Sequence, residues 1–194
     1  MISSTLKPLT VRIIAVLILL VYSLASPADQ NDPALDDLFE RLAVTTSDKE
    51  GSDITHEIWQ RWTANSNPDV SQLMQIGIRA LNYSTYRKAL RSFDRVIEMA
   101  PGFAEGWNKR ATLYYHINEY RRSIDDIKET LRLEPRHFGA WSGLGLVSIA
   151  QENYSGALAA FKKALSINPH IPNIRRYVQK LKDWQQRKVE ENAI

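Results

Sequence analysis

The sequence predicts an all-α protein, a solenoid of stacked antiparallel helix pairs closed by a C-terminal capping helix. Three observations carry that prediction. Pro101, Pro135 and Pro169 lie 34 residues apart, and so do Tyr86, Tyr120 and Tyr154. Small residues recur at the same period, as Gly77, Ala111 and Gly145 and as Ala89, Ser123 and Ala157. After the last proline, apolar Ile174, Tyr177, Val178, Leu181 and Trp184 return at helical spacing.

A fixed period of this length marks stacked helical units, none of which can cover its apolar face alone. Each recurring class has a physical task. A small residue in each helix of a pair lets the two axes approach, and larger neighbours fill the gaps. The tyrosine packs under the turn that starts the second helix. The proline cannot continue the preceding helix and ends the unit. Trp107 and Trp141 keep the count, as do Phe93, Ile127 and Phe161, and Val96, Thr130 and Ala164.

Residues 1–25 read as a secretory signal peptide. Lys7 and Arg12 form a short positive region, an apolar run follows, and Ser23-Leu24-Ala25 places small residues where a signal peptidase reads. Cleavage is expected after Ala25. The uninterrupted run Ile13–Tyr22 is short of the ~20 residues of a comfortable membrane span. The alternative is an inner-membrane anchor through residues 11–24. The chain has no cysteine, which excludes a lipoprotein and any thiolate or disulfide chemistry. The expected location is outside the cytoplasm, in the periplasm.

Residues 26–69 hold a degenerate helical pair and are acidic, with nine Asp/Glu against three Lys/Arg from Ser26 to Pro68. Phe39, Leu42 and Ala43 lie 34 before Leu73, Ile76 and Gly77, and Trp59 and Trp62 take the large packing positions of a second helix. Asp53 is the expected cap of that helix, with Glu57 in its first turn, and polar Thr45–Ser52 with Gly51 the connector. Three units follow, 70–103, 104–137 and 138–171, and then a capping helix and tail, 172–194. From Asp69 onward the chain has 20 Lys/Arg against 13 Asp/Glu. An acidic front and a basic back imply contact between the two, or a basic surface for anionic partners. The overall charge of +3 is too small to imply nucleic acid.

The units resemble the tetratricopeptide repeat (TPR) family, whose pattern is W-x2-L-G-x2-Y, A-x3-F-x2-A, then P. The copy from 138 to 171 has Trp141, Leu144, Gly145, Ala157, Phe161, Ala164 and Pro169, with Ser148 for the tyrosine. The copy from 104 to 137 has Trp107, Ala111, Tyr114, Tyr120 and Pro135 and departs at Arg110, Ser123 and Thr130. The copy from 70 to 103 has Ile76, Gly77, Ala89, Phe93 and Pro101, with Leu73 for the tryptophan.

The resemblance implies a right-handed superhelix whose first helices line a concave groove for a partner segment. The site residues it implies are Met74, Ile78, Asn82, Asn108, Lys109, Thr112, Tyr115, Ser142 and Leu146. In the middle unit the Asn108 amide can bond a peptide backbone and Lys109 a carboxylate, while Tyr115 offers a flat apolar face with a polar tip. At the places where the chaperone-tail binders of this family carry a basic clamp, this chain has Met74, Ile78, Lys109, Gly139 and Gly143. Only Lys109 fits, so that mode of capture is not expected.

No phosphate loop, nucleophile elbow or metal motif is present in the sequence. His56, His116, His137 and His170 do not pair at ligand spacing, and Asp125 and Asp126 are adjacent on a helix and face apart. The expectation is therefore a protein–protein interaction scaffold or adaptor of the bacterial cell envelope. It would be no enzyme, would need no cofactor or metal, and would bind a protein or peptide. The alternative is a protein held peripherally on a membrane or envelope polymer by its basic C-terminal half.

Overall fold

Pro33, Pro68, Pro101, Pro135, Pro169 and Pro172 sit at or beyond the ends of the apolar periods, and helices occupy what lies between. A computed structural model describes residues 29–192, so the segment read as a signal peptide or anchor lies outside the described residues. The helices are α1 (Ala34–Val44), α2 (Asp48–Thr63), α3 (Pro68–Asn82), α4 (Tyr86–Met99), α5 (Ala104–His116), α6 (Tyr120–Leu133), α7 (Phe138–Ala150), α8 (Tyr154–Ile167) and α9 (Pro172–Asn192). No strand occurs among the described residues, and no helix among them is long and apolar enough to cross a membrane.

The pairs α3–α4, α5–α6 and α7–α8 form the repeating stack. Gly77 and Gly145 are required by close approach, because a Cβ at either would run into the Phe93 or Phe161 ring of the partner helix. The middle pair solves the same problem with one more carbon on one side and fewer on the other, Ala111 facing the smaller Ile127 in one core cluster. The tryptophan and proline keep one count because they are bonded to each other. Trp107 Nε1 donates to the Pro101 carbonyl at 2.9 Å, and Trp141 Nε1 to that of Pro135 at 3.1 Å. Each bond ties the start of a unit to the end of the one before.

The departures in the middle unit also find partners. Arg110 reaches Asp126 on its own pair and Asp94 on the preceding one, both at 2.8 Å. Ser123 Oγ donates to the Ala111 carbonyl at 2.8 Å, and Thr130 Oγ1 to that of Asp126 at 2.9 Å. The cap α9 lays Ile174, Val178 and Leu181 on Ala157, Leu158, Phe161 and Ala164 of α8. The last apolar face of the stack is thereby closed.

The first pair, α1–α2, is built differently from the expectation. Helix α2 starts at Asp48, capped by Ser47, whose Oγ accepts from the Glu50 N–H at 3.2 Å. Asp53 is inside the helix and caps nothing. Gly51 is not a breaker either. It is buried in the first turns of α2, where any side chain would strike the His170 ring.

Nor does α1–α2 stack as a further repeat. Ala43, aligned with the small packing row, is exposed. The pair instead runs along the N-terminal ends of α5, α7 and α9. Gln30 bonds the Gly102 carbonyl and the Ala104 N–H, Trp62 and Ile58 share a core with Phe138, and Asn168 donates to Thr55 at 2.8 Å. The acidic front meets the basic back through Asp36 to Arg136 at 2.6 Å and Asp48 to Arg175 at 3.0 Å.

Candidate functional site: the concave groove

Helices α3, α5 and α7 carry all nine expected site residues, and the structure divides them. Towards the C-terminal ends of these helices the surface is open. Ile78, Leu81, Asn82, Tyr86, Lys109, Thr112 and His116 border a recess of about 450 Å³. Thr112 also borders a smaller recess, about 60 Å³, with Tyr115, Gly143 and Leu146. A third, about 490 Å³, lies between Ile149 and Tyr154 of the last pair and Tyr177, Leu181 and Trp184 of α9. These cap residues are groove residues that a reading by repeat positions misses, since α9 stands outside the period. Burial raises the Tyr115 hydroxyl above its usual range, with Tyr120 and Tyr177 adding to the effect.

Towards the N-terminal ends the groove is filled. Met74 is a correction: it is fully buried with Val70, Phe93 and Phe103 and has no surface to offer. Its position faces the next pair rather than the solvent. Asn108 borders the 60 Å³ recess but offers little of its amide, because it is 6% exposed and donates to Glu105 Oε2 at 2.8 Å. Lys109 is already engaged: its Nζ lies 2.9 Å from Glu105 Oε1 and 5.1 Å from the centre of the Trp59 ring. Ser142 and Thr112 donate within their own helices, to the Phe138 and Asn108 carbonyls.

What fills this half is α2. Trp59 lies against Gly139, where a Cβ would come within 2.6 Å of the indole. Trp62 stacks on the His137 ring with centroids 4.1 Å apart and planes 9° from parallel. Under the two indoles lies a polar cluster of Glu105, Asn108, Lys109 and His137.

The hydrogen bonds of His137 fix its tautomer. Its Nδ1 accepts the Ala140 N–H at 3.0 Å as the cap of α7, so Nε2 carries the proton and donates to Glu105 Oε2 at 2.9 Å. Burial pushes the Glu105 carboxyl up, but the Lys109 ammonium and the His137 bond outweigh it and hold the group below its usual range. His137 reads as a turn residue in the sequence. Its place 34 residues before Ile171 and at the start of α7 gives no sign of a buried acid opposite.

Antiparallel pairs of fixed length, stacked around a concave face and closed by a cap, define an α-helical repeat protein. The tetratricopeptide repeat model matches residues 108–170. A TPR repeat-containing protein of Rhizobium etli is 36% identical over 135 residues, covering 70% of this chain and 66% of that protein. Of other curated relatives the chain spans 30% or less. The Sgt2 TPR domain from Aspergillus fumigatus superposes with a TM-score of 0.58 at 25% identity, over 66% of this chain and 83% of that domain. The first TPR of Spaghetti, bound to an HSP90 peptide, gives 0.58 at 15% identity, over 61% and 96%. The chain belongs to the tetratricopeptide repeat family.

Proposed function

We propose that this protein is a non-catalytic interaction scaffold that holds an extended segment of a protein partner in the open half of its groove, in the bacterial cell envelope. The observation that carries the reading is the pair of adjoining recesses joined at Thr112. They put Ile78, Asn82, Thr112, Tyr115 and Leu146 on one surface, apolar walls with a few polar tips, which suits a peptide better than a small metabolite. Similar domains that bind HSP90 or Hsp70 peptides support groove binding. The basic clamp of such binding is not available, because Met74 is buried and Lys109 is engaged by Glu105. The pattern of residues 7–25 supports export to the envelope.

Photo-crosslinking in cells tests the reading. A crosslinker at Tyr115 should capture a discrete protein, and one at exposed Lys163 on α8 should not. Equal products from both sites, or lipid and polymer products alone, would overturn it. Fractionation of the same cells tests the envelope location.

A further inference from the structure

The groove has an occupant supplied by the chain itself, and that occupant fits imperfectly. Among the described residues, three buried side-chain polar atoms have no hydrogen-bond partner: Arg61 Nε, Trp62 Nε1 and Glu105 Oε1. Glu105 Oε1 has the Lys109 ammonium at 2.9 Å, which leaves Arg61 Nε and Trp62 Nε1 as the two atoms with no partner of any kind. All three atoms lie in α2 or directly beneath it. Apart from Glu105, the helices α3 to α8 leave none.

The surface under α2 is also chemically wrong for permanent burial. A face meant to stay covered is best made apolar, since an ionised pair taken out of water is often no more stabilising than hydrophobic residues of the same volume. Here an ionised glutamate, an asparagine and a histidine are buried beneath two indoles, with a half-buried lysine at their edge. They stand at the groove positions of α5 and at the start of α7. Once uncovered they would be a polar anchor for a peptide backbone, continuous with the open half through Lys109, which borders the 450 Å³ recess.

The pair is built to leave as a unit. Leu35, Leu38, Leu42, Ile54, Ile58 and Trp62 form a core of their own, sharing only Phe138 among its fully buried members with the stack. The connector to α3 is the short polar stretch 64–67, and the outer ties are exposed charge pairs, Asp36–Arg136 and Asp48–Arg175.

We infer that α1–α2 is a displaceable plug: it closes the N-terminal half of the groove in the free protein, and a partner that uses the whole groove must expel it. This deepens the groove-binding reading and rests on it. Native-state hydrogen exchange on the full chain tests the plug without any partner. Amides of α2 should exchange at least 100-fold faster than those of α5 and α7, through an opening that leaves the stack folded. Equal protection in α2, α5 and α7 would overturn the inference.

The double variant Asp36→Lys/Asp48→Lys, placing cations opposite Arg136 and Arg175 and leaving the Arg136–Glu134 pair of the stack intact, should speed α2 exchange about tenfold and leave α5 and α7 unchanged. It should also raise crosslinking yield at Tyr115 severalfold. Faster α2 exchange with an unchanged yield would overturn gating and leave groove binding standing. No discrete product from Tyr115 in either form would overturn groove binding, and gating with it.

Discussion

The stack and the plug use the same helix-on-helix packing, but they are specified in opposite ways. In the stack each contact is repeated every 34 residues, so glycine meets phenylalanine in the first and third pairs and alanine meets isoleucine in the second. Polar exceptions such as Arg110 and Ser123 find partners in the stack. Between plug and stack nothing repeats. Two indoles sit on one histidine and one glycine, and the polar atoms that packing leaves over are orphaned. A repeated interface is well fitted because one solution serves every copy. A single interface that must also open tolerates poorer fit.

The largest effect that sharpens this contrast is a cavity in the stack. Phe161 is fully buried, lies over Gly145 and stacks on Tyr177 of the cap at 5.3 Å. Phe161→Ala should cost about 3–5 kcal/mol. Because each unit leans on its neighbours, the loss should lower the urea midpoint of the whole helical signal. Trp62→Ala removes as large a ring from the plug. It should leave that midpoint almost unchanged and release only α1–α2, seen as early loss of protection in those helices. A single shared transition for Trp62→Ala would erase the contrast.

The buried cluster comes next. Lys109→Ala strips the ammonium from Glu105 and should destabilise the closed plug by about 3 kcal/mol. The sign with pH follows from the lowered Glu105 carboxyl. A depressed acid contributes stability that is present above the ordinary carboxyl range, ~4.3, and lost as pH falls through the folded value. In the wild type the plug should therefore stay shut to pH values below that range. In Lys109→Ala the opposing burial dominates and raises the carboxyl, so the sign reverses: the plug should be tightest in acid, and indole fluorescence should report opening as pH rises. An acid profile that does not move would remove Lys109 from the cluster's electrostatics.

Gly139→Ala is milder. The added methyl meets the Trp59 indole at 2.6 Å, within reach of a small rotation, so the cost should be about 1–3 kcal/mol. It should fall on the plug alone, as faster α2 exchange with an unchanged urea midpoint.

These differences explain what was legible in the sequence. The three pairs and the cap could be read because periodic residue classes report on neighbours one unit away. The turns between the helices of each pair were harder. Ser84, Asn118 and Glu152 sit in the left-handed region at φ 55°, 61° and 59°, keeping the period without a glycine to mark it. The site was half legible. Ile78, Asn82, Thr112, Tyr115 and Leu146 border the open recesses, Asn108 borders the smaller one with its amide already bonded to Glu105, and Met74 shares their register but is covered by the adjacent pair. Gly51 looked like a loop residue because its reason for being small, the His170 ring, is more than a hundred residues away. The imbalance of acid and base pointed to contact between front and back without saying where.

The smallest effect tests that last cue. Asp48 accepts from His170 Nδ1 and from Arg175, both at 3.0 Å, and the histidine bond chiefly, then the arginine, holds its carboxyl below the usual range. The side chain is exposed, so water and salt compete for it. Asp48→Asn keeps the shape, removes the charge and should loosen only the first turn of α2. Asp48 supports the closed plug above the ordinary aspartate range and loses that role as pH falls through it. The loosening should shrink towards nothing in ~1 M salt, where the screening length is about 3 Å. The effect of Gly139→Ala should persist there, because a steric clash is not screened. If the two variants responded alike to salt, the outer charge pairs and the indole contact would be one latch, and the plug could not be loosened from its rim.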